Sequence, residues 1–156
     1  MTPNDLPAPA LRPATAADAA RLSELVQAAY GHYVERLGAP PRPMTDDYSE
    51  VVASRRVIVA ERSGEIVGLI VLALNAEGFL VDNVAVDPSH QASGVGRALL
   101  ERAEAEARQA GSRSIHLCTH EKMTENLALY SRIGYVEYDR RLHDQTCLVY
   151  LRKQLA

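Results

Sequence analysis

The chain has 156 residues, 47% of them hydrophobic and 24% charged, which suits one compact domain with an ordinary core and excludes disorder. A net charge of −3 gives no basic field for a nucleic acid or an anionic membrane surface, and no apolar run approaches membrane-spanning length. Cys118 and Cys147 lack metal spacing and fall in strand-like runs, which predicts buried free thiols in a reducing compartment. The start, MTPNDLPAPALRPA, has neither a basic n-region nor an apolar h-region, so a cytoplasmic protein without a signal peptide is expected.

In chain order, residues 1–12 are rich in Pro and Ala and predict a loose lead-in. Thr15 with Asp18 three residues on predicts a capping box. Leu22, Leu25, Val26, Ala29, Tyr30, Tyr33 and Leu37 then recur at helical spacing, up to Gly38, Pro40 and Pro41. A second helix is expected from a Thr45 cap to about Ser54, with Asp46 and Asp47 in its first turn. RVIVAE and EIVGLIVLAL form a hairpin signal around Ser63 and Gly64, and FLVDNVAV is a third strand ended by Pro88. Residues 94–109 predict an alanine-rich helix closed by Gly111, its charges a solvated face with Glu–Arg pairs at i,i+4. SIHLCTH is a strand, TENLALYSRI a helix capped by Thr124 and closed by Gly134, and YVEYD and QTCLVYLRK are the last two strands. This order predicts one α/β, or layered α+β, domain over residues 1–156.

Between the third strand and the alanine-rich helix lies QASGVG. Glycine permits φ > 0 and lets a ligand approach the backbone, and at a helix start the amides of Ser93 through Arg97 would face outward as an anion site. A Walker loop needs Gly-Lys-Ser/Thr, but Gly96 is followed by Arg97 and Ala98. A Rossmann loop needs a third small residue, where Leu99 stands, and an acid ending a second strand. A third pattern, Gln/Arg-x-x-Gly-x-Gly/Ala after a strand, is met in register by Gln91, Gly94 and Gly96.

Taken with NVAVDP before it and ENLALYSRIGYVEY after it, this loop resembles the GNAT superfamily of acyl-CoA-dependent N-acetyltransferases, over about residues 11–153. The resemblance implies a mixed, mostly antiparallel sheet splayed between strands 4 and 5 and flanked by helices. It implies acetyl-CoA as cosubstrate, no metal, and direct transfer of the acetyl group to a primary amine of a small molecule or peptide. A non-catalytic acyl-CoA-binding module on the same fold is the rival reading. Carried over residue by residue, Val84, Ala85 and Val86 would pair with the pantetheine arm. Gln91, Ala92, Ser93, Gly94, Val95, Gly96 and Arg97 would hold the diphosphate, and Asn126 and Tyr130 would meet the arm and its sulfur. Tyr130 is the expected acid for the leaving thiolate, and Asp82 a candidate base, Leu80 standing where many members place a glutamate. Tyr30, Tyr33, Asp47, Tyr48 and Glu121 are candidates for the acceptor site. His116 and His120 lie about 13 Å apart on a strand and are not expected to share a metal, and His90 is expected to be an exposed loop histidine. The last strands leave open a homodimer interface.

Overall fold

The structure is a computed structural model describing residues 6–143 and 145–156. Seven strands form one sheet in the order β1-β2-β3-β4-β5-β7-β6. They are β1 (Ala10–Pro13), β2 (Arg56–Arg62), β3 (Glu65–Asn75), β4 (Gly78–Val86), β5 (Ser114–His120), β6 (Val136–His143) and β7 (Thr146–Gln154). The helices are α1 (Ala19–Tyr30), α2 (Val34–Leu37), α3 (Tyr48–Ser54), α4 (Val95–Gln109) and α5 (Thr124–Arg132). The pairings of β1 with β2, β2 with β3, β5 with β7 and β6 with β7 are antiparallel, whereas β4 and β5 are parallel. That parallel ladder runs from Phe79↔Ile115 to Val81↔Leu117 and stops there, well before β4 ends at Val86. Beyond Val81 the strand is released from its neighbour, which is the expected splay. The described chain forms two compact units, residues 1–72 with 83–103, and residues 73–82 with 104–156.

In the first unit the apolar stripe of α1 places Leu22, Leu25 and Val26 at 0% exposure, in one cluster with Val57, Val59, Leu69, Val71 and Ala85. Each such side chain stabilises the fold by roughly 1.5–3 kcal/mol relative to exposure. The expected lead-in is corrected: Ala10–Pro13 forms an edge strand, paired from Ala10↔Glu61 to Pro13↔Ile58. Its only large apolar residue is Leu11, so alternation could not reveal it, and charge secures it instead. Arg12 bonds Glu61 and Asp18, and its guanidinium holds the Asp18 carboxyl at about 2. The Thr15 N–H donates to Asp18 Oδ2 at 2.8 Å, as a capping box requires. The long first helix is broken into α1, a 3-10 turn over Gly31–Tyr33, and α2, with Gly38 in the left-handed region (φ 83°). Thr45 does not cap α3. Its hydroxyl turns back to the Arg42 carbonyl (2.9 Å), and Asp47 is the cap, accepting the Ser49 N–H at 3.0 Å.

In the second unit β5 and β7 bury Ile115, Leu117, Val149 and Leu151, while β6 is an edge strand with Val136, Tyr138 and Leu142 exposed. Glu77 accepts Arg141 at 2.6 and 3.0 Å and Tyr138 at 3.3 Å, and Arg141 holds its carboxyl down to about 2. Met123, not Thr124, caps α5, because its carbonyl accepts the Asn126 N–H (3.1 Å) that closes the first turn. Two further expectations are corrected. Cys118 is exposed and Cys147 half-buried, since Cys118 alternates along β5 with the buried Leu117 and Thr119 and faces the other side of the sheet. Glu104 leaves the solvated face of α4, being buried and paired with Lys153 of β7 at 3.0 Å, but the expected i,i+4 pairs form, Glu104 with Arg108 at 3.9 Å and Arg97 with Glu101 at 3.3 Å.

His116 on β5 is 1% exposed, with its ring against the Phe79 backbone. Burial, with Arg152 and Arg141 opposing and Glu77 favouring the charged form, puts its pKa below the usual 6.5. The unfolded chain therefore binds a proton that the folded one refuses, so stability falls as pH drops below 6.5. His116→Leu is expected to flatten that slope between about pH 6.5 and 5 in urea midpoints. An unchanged slope would show that His116 does not set it.

Candidate functional site

The first unit contributes the loop and the free edge of β4. The Asp87 N–H donates to Val67 O at 2.8 Å, so Asp87 turns its backbone toward β3. Backbone polar groups alternate sides along a strand. Ala85 and Asn83 therefore face β3 as well, and Val84 and Val86 face away from it. Side chains, not a strand, meet the carbonyls on that free edge: the Tyr30 hydroxyl at 2.8 Å from Val84 O, and Gln91 Nε2 at 3.3 Å from Val86 O. The N–H groups of Val84 and Val86 lie on the same edge.

Asn83 was not singled out by sequence reasoning. It is 6% exposed, its Oδ1 lies 2.7 Å from the Tyr30 hydroxyl, and its Nδ2 donates to the Tyr48 hydroxyl at 3.3 Å. Tyr48 in turn donates to Pro43 O at 2.7 Å. The single Tyr30 proton serves either Asn83 Oδ1 or Val84 O, so its oxygen is held between two acceptors beside the strand edge. Tyr30 and Tyr48, both expected at the acceptor site, are thus brought together by a strand amide. Tyr33 is buried, its ring tilted against His32 and under Arg36, and Asp47 is committed to its cap.

After Asp87, whose carboxylate accepts Ser89 and Arg21 and is thereby held below its ordinary pKa, the chain makes one 3-10 turn and enters the glycine loop. Ala92 (φ 60°) and Gly94 (φ 91°) both take the left-handed region that side chains disfavour. The first α4 bond is Ala98 N–H to Gly94 O at 3.0 Å, so the amides of Val95, Gly96 and Arg97 before it are free of helix bonds. With the positive helix end they suit an anion such as a diphosphate. A Cβ on Gly96 would meet only Val86 Cγ2, at an ordinary 3.6 Å, so the fold itself does not require glycine there. The His90 expectation is corrected: the residue is half-buried, and its Nδ1 is enclosed without a partner among the described residues.

The second unit holds the remaining candidates. Tyr130 on α5 is 6% exposed, with its ring centroid 5.8 Å from that of Tyr135. Burial beside Glu104 raises the Tyr135 phenol well above its usual range. Asn126 is half-buried, with its Nδ2 4.0 Å from Met123 Sδ. Asp82 is half-buried, and Glu121 is exposed and pairs with Arg140 at 3.7 Å. Among the described residues no cluster of His, Cys, Asp and Glu could hold a metal, and no helix is long and apolar enough to cross a membrane.

A family model described as an acetyltransferase (GNAT) domain matches residues 53–137. A curated relative, an IAA acetyltransferase of Azospirillum brasilense, is 38% identical over 84 residues, which are 53% of this chain and 55% of that protein. The chain thus spans about half the length of that relative. Among solved structures, the PaiA N-acetyltransferase of Thermoplasma acidophilum in complex with coenzyme A superposes with a TM-score of 0.81 at 14% identity, covering 95% of this chain and 99% of that one. YncA of Salmonella typhimurium with its cofactor acetyl-CoA gives 0.72 at 23% identity, covering 95% and 94%.

Proposed function

Since the chain belongs to the GNAT acetyltransferase family, we propose that it moves an acetyl group from acetyl-CoA to a primary amine by direct attack. The observation that carries this reading is the junction of β4 and α4, where, among the described residues, the strand ladder to β5 ends at Val81 and β4 leads into amides that precede the first helix bond of α4. On this reading the amides of Gly94 to Arg97 receive the diphosphate. The edge at Val84 and Val86 takes the amide-bearing arm as a strand takes a neighbour. The Val84 N–H then polarises the thioester oxygen as charge develops on it.

Alkylamines are mostly protonated at neutral pH, so the acceptor must lose a proton before it attacks. Asp82, just before that edge, is the carboxylate we assign to taking it. Tyr130 hydrogen-bonds the departing thiolate, and Asn126 meets the arm. The Tyr30–Asn83–Tyr48 group is the polar surface presented to the acceptor.

The test is a thermal shift with acetyl-CoA against ATP, NAD and buffer, followed by an amine panel with thiol detection. Ligand at about 100 times its Kd adds roughly 2.7 kcal/mol, or about 5–10 °C for a chain of this length. Gly96→Ala is expected to keep or raise the ligand-free melting temperature, because alanine suits a helix, and to lose most of the acetyl-CoA shift. No shift in the folded wild type at millimolar acetyl-CoA would refute the reading. An undiminished shift in Gly96→Ala would remove the loop from it.

A further inference from the structure

The last residue of β2, Arg62, is 8% exposed, an unusual state for a guanidinium. Its Nε donates to Pro7 O at 3.0 Å, its Nη1 to Ser93 Oγ at 2.6 Å and its Nη2 to Ser93 O at 2.8 Å. Ser93 Oγ donates onward to the His90 carbonyl. One buried side chain thus ties the N-terminal segment, a strand end and the glycine loop together. Its described partners are all neutral oxygens.

Two consequences follow from the covalent geometry and the charge. The Ser93 C=O and the Gly94 N–H belong to one planar trans peptide and point in opposite directions. By drawing the carbonyl inward, Arg62 turns the Gly94 N–H the opposite way, away from the buried guanidinium. It also removes from that side a carbonyl oxygen that would repel an anion. A guanidinium whose partners are neutral keeps its full charge, and low-dielectric surroundings transmit that charge well.

We propose that Arg62 is a positioning residue of the diphosphate site, orienting the Ser93–Gly94 peptide and adding a fixed positive charge beneath the loop. This rests on the acetyl-CoA reading above. It predicts selective loss of affinity for the phosphate-bearing half of the cofactor, with the thioester half unaffected.

The experiment measures acetyl-CoA binding by calorimetry, and binding of acetyl-pantetheine, which has the thioester but no phosphate, by ligand-observed NMR. In Arg62→Met the acetyl-CoA Kd is expected to rise about 10–100-fold, as for a lost charge-assisted contact, with acetyl-pantetheine binding unchanged. Arg62→Lys, keeping the charge without the two-pronged geometry, should give an intermediate rise. Ser93→Ala, which deletes one of the two loop bonds, should give a several-fold rise in a folded protein. It keeps the test decisive if Arg62→Met does not fold.

Equal losses for both ligands would mean a general packing role and overturn the proposal. So would an acetyl-CoA Kd within twofold of wild type in Arg62→Lys and Ser93→Ala. A wild-type protein that binds no acetyl-CoA would instead refute the functional reading itself.

Discussion

Tyr130→Phe is expected to lower kcat by about 100-fold or more while leaving the acetyl-CoA Kd within a factor of two, the range for loss of a positioned proton donor. The substitution removes one oxygen and keeps the ring that packs against Tyr135. It also keeps the Tyr130 carbonyl that accepts the Tyr135 N–H at 2.9 Å. A thiol near pKa 8.5 is a stronger acid than a phenol near 10, so complete transfer from tyrosine to the thiolate is uphill by roughly 2 kcal/mol. In the proposed mechanism the hydroxyl would act chiefly by hydrogen-bonding negative charge as it gathers on sulfur. That stabilisation exists in the transition state and not with bound thioester, which is why kcat should fall and binding should not. Steady-state rates with the best amine, set beside calorimetry, check the split. An unchanged kcat would take Tyr130 out of the chemistry. A wild type that binds acetyl-CoA but turns over no amine would favour the non-catalytic binding module.

Gly68→Val should strongly destabilise the first unit, costing about 3 kcal/mol and roughly 6–12 °C of melting temperature. A Cβ at Gly68 would lie 2.7 Å from Val95 Cγ1, 3.1 Å from Leu99 Cδ1 and 3.3 Å from Ala85 O. Val95 cannot swing clear, because a β-branched side chain on a helix has one strongly preferred rotamer. The Ala85 oxygen belongs to the backbone of β4. The first turn of α4 is thus seated directly on β3, and the same turn carries the loop amides. The variant should consequently also bind acetyl-CoA more weakly, even where it is still folded. Urea unfolding of Gly68→Ala and Gly68→Val gives the check, and a graded loss is expected. A Gly68→Val protein as stable as wild type would show that α4 shifts at little cost.

What the sequence disclosed was local. The hairpin turn at Ser63 and Gly64, with φ of 53° and 77°, and the loop spacing of Gln91, Gly94 and Gly96 are written in consecutive residues, and so is the helix between Val95 and Gln109. Helix caps were less legible, because Thr45 and Asp47 both suit a cap and only the competing bond from Thr45 to Arg42 O decides between them. Arg62, Asn83 and Gly68 were not legible at all. Arg62 reads as the charged end of a strand until its reach to Ser93 is known. Asn83 reads as a polar break in an apolar strand until Tyr30 and Tyr48 converge on it. Gly68 reads as a weakness in β3 until Val95 is found against it. Each takes its meaning from contacts distant in sequence, which no periodicity encodes.

The exposed Cys118 thiol bears on how turnover is to be measured. A disulfide dye that reports released coenzyme A is expected to react with this side chain as well, giving a jump in signal at the start of every trace. That initial jump imitates the burst by which a covalent acyl-enzyme announces itself. A jump that is the same size without amine or acetyl-CoA belongs to the protein's own sulfur, and only the later linear slope counts cofactor consumed.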